Sequence, residues 1–216
     1  MRIEELKQSV SLSIAASIDK TKTKLPIAAF LIEGMSGNTY KRFINTLLSQ
    51  SSTKKYLEIG VWKGSTSVAA AYGNPDVQCW FIDNFSEFGG PRDQYISNFT
   101  KVVGHPPNLI DSDCFGIDPS SHGIDDVDVY FYDGAHLESD HYKALTHYVK
   151  HMKESFIYIV DDWGCAQCEP VKKGTYRAIK DLNLKIEQEF NLGQGLSDDS
   201  DGWWNGCGVF VLSKPE

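Results

Sequence analysis

No apolar run in these 216 residues approaches the roughly 20 that a bilayer span requires. Met1 to Val10 carries Glu4 and Glu5 where a secretory signal would be basic and then apolar. A cytoplasmic protein with no membrane partner is therefore expected. A basic excess is missing too: 21 Lys and Arg stand against 29 Asp and Glu, a formal net charge of -8. That balance argues against a general nucleic-acid surface and leaves small molecules as the expected partners. Cysteines are few and odd in number, five in all at Cys79, Cys114, Cys165, Cys168 and Cys207, and their spacing forms no evident disulfide framework. Reduced thiols are the expectation. "CAQC" at Cys165 to Cys168 lacks the second CxxC or His pair of a structural zinc site, and nothing else supports its thioredoxin-like setting. Internal repeats and low-complexity segments are also absent, so one domain covering 1–216 is expected, with residues 1–50 as a helical cap or lid and 51–216 as the core.

What is present is a regular alternation. "IEELKQSVSLSIAASI" and "NTYKRFINTLLSQ" place apolar residues three and four apart and predict helices, with Pro26 and Gly34 to Gly37 marking breaks. Further on, β-branched and aromatic runs alternate with helical stretches: "KYLEIGV", "VQCWFIDN", "NLIDS", "DVDVYFYDG" and "FIYIVDDW". Continuous apolar strands separated by helices predict an α/β fold, a doubly wound, mostly parallel sheet covered on both faces. "LKIEQEF" and "GVFVLSK" close it as an antiparallel hairpin with a long loop.

In such a sheet, ligands sit beyond the carboxyl ends of the strands. "YLEIGVWKGSTS" reads as a strand breaking into glycines before a helix, and Gly60 and Gly64 suit a turn whose backbone approaches a ligand. Asp83, ending the next strand, is placed to accept hydrogen bonds from two ribose hydroxyls. Trp62 occupies the place where a second glycine would admit a pyrophosphate, so a nucleoside without phosphates fits better.

"LEIGVWKGSTS" and "FIDNF" resemble the first two motifs of class I S-adenosylmethionine (SAM)-dependent methyltransferases, and the likeness runs from about Lys54 to the C-terminus. "YFYDGAH" and "IYIVDDW" are similar to a metal-dependent O-methyltransferase branch that includes macrocin-type sugar enzymes and, more distantly, catechol and caffeoyl-CoA enzymes. The resemblance implies a Rossmann-like methyltransferase fold, with SAM held at the Gly60 turn and Asp83. Glu58 and Ser65 are expected as supporting polar contacts, and by their position near the third strand Ser112, Asp113 or Cys114 is expected to border the adenine. It also implies Mg²⁺ on Asp133, Asp161 and Asp162. The residues read alone agree, since three carboxylates at two adjacent strand ends suit a hard cation that relieves their repulsion. Helix capping by the same acids stays open.

The activity expected is Mg²⁺-dependent methyl transfer from SAM to a hydroxyl of a small hydroxylated acceptor. A non-catalytic SAM- or nucleoside-binding protein is the alternative, a nicotinamide-dependent oxidoreductase a more distant one, and homo-oligomerisation stays open. His136, three residues after Asp133 at the start of the next helix, is expected to take the acceptor's proton, with Asp133 the next candidate; a supporting role beside the metal is its alternative. His141, His147 and His151 read as surface or packing residues, and acidic "DDSDG" from Asp198 as a solvated loop rather than a calcium site. "EGMSGNTYKRF" reads equally as a lid over the cofactor or a turn between helices. Trp163, Trp203 and Trp204 serve either as stacking surfaces for an acceptor or as core.

Overall fold

The computed structural model describes residues 2–165, 168–193 and 199–215. The seven apolar runs all form strands: β1 (Lys55–Ile59), β2 (Gln78–Asp83), β3 (Leu109–Asp111), β4 (Val127–Tyr132), β5 (Met152–Val160), β6 (Lys185–Leu192) and β7 (Cys207–Ser213). They join in one sheet of order β3-β2-β1-β4-β5-β7-β6. Strands β1 to β5 pair in parallel, while β7 runs antiparallel to both β5 and β6. The helices are α1 (Arg2–Ile18), α2 (Ile27–Phe30), α3 (Asn38–Leu48), α4 (Ser65–Ala71), α5 (Arg92–Val103), α6 (Glu138–Tyr148) and α7 (Glu169–Asp181).

Period-two alternation sends each central strand's side chains into two cores. From β4, Val129 and Phe131 pack with Tyr40, Phe43 and Val68 of α3 and α4 on one face. Tyr130 and Tyr132 pack with Ala144, Leu145 and Ala178 of α6 and α7 on the other. This double burial explains why the strands read as unbroken apolar runs. Helix α1 is tied to the same core through Leu6 and Val10. Its Arg2 joins Lys153 on the buried Asp128 carboxylate, which also accepts the Lys54 and Lys55 N–H groups.

From β1 the chain winds outward through β2 to β3, then returns beside β1 with β4 and continues to β5. The reversal lies between β1 and β4, and a crevice at such a point is where a doubly wound sheet binds its ligand. Gly60 and Asp133 follow the ends of these two strands. Two departures from expectation occur nearby. Helix α6 starts at Glu138, so His136 sits in the preceding loop rather than in the first helical turn. Cys165 and Cys168 form a disulfide, correcting the expectation of reduced thiols throughout; Cys79, Cys114 and Cys207 are free. Their i,i+3 spacing in the turn before α7 brings the Cα atoms to 5.3 Å, within bridging range.

Candidate active site

A cavity of about 870 Å³ opens over the reversal point. The β1–α4 turn forms its floor. Gly60 has φ +85°, and a Cβ there would fall on the carbonyl oxygen of Asp133. The glycine is thus demanded by the approach of β4's end as much as by any ligand. Gly64, φ +94°, lies outside the lining, and a Cβ on it would stand 2.9 Å from the Tyr95 ring. Trp62 takes a left-handed φ of 43° without being glycine.

Asp83 fixes this turn. Its Oδ2 accepts the N–H groups of Val61 and Trp62, both at 2.9 Å, and Oδ1 accepts that of Phe85 at 2.7 Å. The carboxylate lines the cavity and retains lone pairs for further donors. Glu58 does not line it. Fully buried beneath the turn, it accepts hydrogen bonds from the Thr66 hydroxyl at 2.5 Å and the Tyr56 hydroxyl at 2.8 Å. Burial pushes its carboxyl up to about 8 against those two bonds. It braces the turn from behind. Ser65 lines the cavity, as do Ser112, Asp113 and Cys114 from the loop after β3.

The segment between α2 and α3 reaches the same turn. Ser36 and Ser65 hydroxyls lie 2.8 Å apart, Glu33 pairs with Lys63 at 2.7 Å, and Gly34 to Ser36 line the cavity. The segment therefore covers the site as well as linking helices.

Across the cavity stand the acids of β4 and β5. None of the three caps a helix: Leu137 and Cys168 hold the N-cap positions of α6 and α7, without side-chain caps. Asp133 and Asp161 interact with each other, and burial first, then their neighbouring charges, raise both carboxyls well above the usual range. Two half-buried carboxylates that interact in this way share a proton or a cation. Behind them the fully buried Tyr40 hydroxyl approaches Asp161 and Cys207 without a well-formed bond to either.

Asp162 turns elsewhere. With φ 52° its carboxylate meets His136 Nε2 at 2.9 Å and accepts the Asn205 side-chain amide at 2.7 Å. Burial pushes Asp162 up, but these partners outweigh it and hold its carboxyl below the ordinary value. The Asp162 bond raises His136 in turn. Among the described residues, no three His, Cys, Asp or Glu side chains converge as a metal-ligand set. The expected triad is thus split into an Asp133–Asp161 pair and an Asp162–His136 pair.

The remaining candidates sort by packing. His141 is buried against the Tyr132 ring with both ring nitrogens unpartnered. His151 lies in a 3-10 turn past α6, bonded to Asp125 at 3.1 Å. Trp163 is core, and Trp203 packs on Tyr40 and Phe43; Trp204 lines the cavity. Asp198 lies outside the described residues, while the carbonyls of Ser200, Asp201 and Gly202 accept the first N–H groups of α3. Sequence reasoning missed Tyr40 and Asn205. The only local signal for Asn205 is its place beside Gly206 in the loop leading into β7.

This architecture is the Rossmann-like methyltransferase fold. No protein-family model and no curated protein matches the sequence. Solved structures do. A Bacillus cereus O-methyltransferase in complex with S-adenosylhomocysteine (SAH) is similar with a TM-score of 0.59 at 14% identity, covering 98% of this chain and 91% of that one. An SAH-bound Podospora anserina methyltransferase gives 0.60 at 14%, covering 94% and 88%. A SAM-dependent O-methyltransferase from Thermotoga maritima gives 0.54 at 16%, covering 82% and 65%. Among the described residues no helix is long and apolar enough to cross a membrane.

Proposed function

We propose that this chain transfers a methyl group from SAM to a hydroxyl of a small hydroxylated molecule. One observation carries the reading: a turn held by Asp83 faces a half-buried carboxylate pair, Asp133 and Asp161, across a single cavity at the reversal of the sheet. The Gly60 turn, Asp83 and Ser65 would hold the nucleoside, and Ser112 to Cys114 would border its base.

The donor chemistry suits Mg²⁺, because two close carboxylates facing a cavity offer hard oxygens and leave room for water. Asp133 and Asp161 would hold the ion; Asp162 would join only by yielding its bond to His136 or Asn205. When bound, such a cation lowers the pKa of a coordinated hydroxyl. The chain's own residues handle the proton. With Nε2–H donated to Asp162, the other ring nitrogen of His136, Nδ1, carries the free lone pair that accepts it. Asp162 then stabilises the imidazolium that forms, as its lowered carboxyl pKa requires. Methyl transfer itself is an in-line displacement, so the walls must hold oxygen, carbon and sulfur near a line.

The test is a screen with labelled SAM over catechols, glycosides and polyketides, with and without Mg²⁺, beside SAH calorimetry. Saturable SAH binding, with label transfer lost in EDTA and restored by Mg²⁺, is expected. Absence of SAH binding sinks the reading; full turnover in excess EDTA removes the metal from it.

A further inference from the structure

The cavity walls are of one charge sign. Besides Asp83 and the three strand-end acids Asp133, Asp161 and Asp162, Glu87, Asp113 and Asp140 line it, which makes seven carboxylates facing one histidine, His136. Neither Lys nor Arg is among the lining residues. The residues outside the description, at positions 1, 166, 167, 194–198 and 216, include neither type. Cations near the rim are already engaged, Lys143 lying 5.8 Å from the Phe115 ring centroid. Lys63 is paired with Glu33 and lies 4.4 Å from the Trp62 ring centroid, and Arg177 pairs with Glu138 at 2.7 Å and stacks on Tyr142.

Aromatic faces complete the walls. Trp62, Phe85, Phe88, Phe115 and Trp204 all line the cavity, and Phe88, 65% exposed, stands edge-on to Trp62. Rings alternating with carboxylates attract an ammonium group through both ring quadrupole and charge. Behind the acids, the buried and unpartnered Tyr40 hydroxyl faces Asp161 and offers a dipole without changing the net charge.

We propose that this cavity ranks acceptors by charge, taking hydroxylated amines first and uncharged hydroxylated molecules next, and rejecting carboxylates, phosphates and coenzyme A thioesters. The inference rests on the methyl-transfer reading and names its substrate class. A sulfonium and a divalent cation together offset only three unit charges, so a surplus of acid survives in the loaded site. At a separation of about 7 Å and a water-like dielectric, one carboxylate changes the affinity of a unit charge roughly threefold, and inverting the ligand's charge changes it about sevenfold. Glu87 lines the cavity next to Phe88, whose ring stands edge-on to Trp62. Asp140 is in the first turn of α6 behind His136.

The experiment uses the full chain saturated with SAH and Mg²⁺. Three catechols of matched size are titrated calorimetrically: 3,4-dihydroxyphenethylamine, 4-methylcatechol and 3,4-dihydroxybenzoate. The amine should bind at least tenfold more tightly than the acid, with the neutral compound between, and 1 M KCl should compress the series. A Glu87→Gln, Asp140→Asn double variant should narrow the gap by up to about fiftyfold, roughly sevenfold for each charge removed. Quenching of tryptophan fluorescence by caesium and iodide supplies a measurement that needs no acceptor. Trp62 and Trp204 line the cavity whereas Trp80 and Trp163 are buried, so caesium should outperform iodide, and the variant should reduce that advantage. Equal or acid-favouring affinities, or an iodide preference, overturn the proposal while SAH binding leaves the function reading standing. Failure to bind SAH overturns both.

Discussion

Asp83→Ala tests the floor of the cavity. The substitution removes the acceptor of three backbone N–H groups, those of Val61, Trp62 and Phe85, at 2.7 to 2.9 Å. Hydrogen bonds to a charged partner contribute about 1.5–3 kcal/mol each when buried. This carboxylate is half-buried and borders an open cavity, so water can recover part of each bond, and a total loss of roughly 2–4 kcal/mol is expected. In a domain of this size that lowers Tm by about 5–15 °C. SAH affinity should fall at least tenfold, because the turn relaxes and the lone pairs that remain for ribose hydroxyls are lost. Comparing adenosine with 2′,3′-dideoxyadenosine on both proteins separates these contributions. The wild type should discriminate between the two nucleosides and the variant should not, a coupling that a merely structural carboxylate would not produce. Thermal melts and calorimetry provide the readouts. A variant with unchanged Tm and an SAH Kd within twofold of wild type would refute the assignment of Asp83 to both turn and ribose.

Lys41 is 3% exposed and, among the described residues, donates only to the Ile32 carbonyl, at 3.3 Å, and burial lowers its ammonium to about 8. Lys41→Met should therefore raise stability at pH 7 by roughly 1–3 kcal/mol in urea melts. Since the folded pKa lies below the unfolded one, wild type should regain this stability between pH 8 and 10.5 while the variant stays flat. His141, lowered to about 3 by burial, stays neutral when folded but protonates when unfolded below about pH 6.5. His141→Phe should thus gain on wild type by up to about 1.4 kcal/mol per pH unit as pH falls from 6.5, which acid titration of the two melts measures. Iodoacetamide in denaturant should label three cysteines without reductant and five after reduction; five without reductant would exclude the Cys165–Cys168 bridge.

The strands were legible because burial on both faces writes them as continuous apolar runs, and even three-residue β3 is visible in "NLIDS". The Gly60 and Asp83 turn was legible for the same local reason, although the partner of Gly60 is Asp133 rather than a ligand alone. The split of the acids was not. Asp161 and Asp162 are neighbours whose side chains diverge, and the divergence is set by Asn205, which reaches Asp162 from the loop before β7. No local pattern encodes a contact 43 residues distant. Tyr40 escaped notice because its apolar helical spacing reads as core, which it is, while its hydroxyl ends beside Asp161. The disulfide depends on a turn geometry that CxxC spacing permits without requiring.

Strand β7 lies between β5 and β6 although it follows both in the chain. As the chain leaves the ribosome, β1 to β5 can pair in order, but β5 presents an open edge and β6 has no place in the sheet until Cys207–Ser213 has emerged. The nascent protein therefore carries a bare, apolar strand edge through the translation of some fifty residues, the kind of surface that recruits other chains or a chaperone. A ribosome stalled just before β7 would release a product with Phe156 to Val160 unpaired on one side, prone to aggregate despite a complete Asp83 turn.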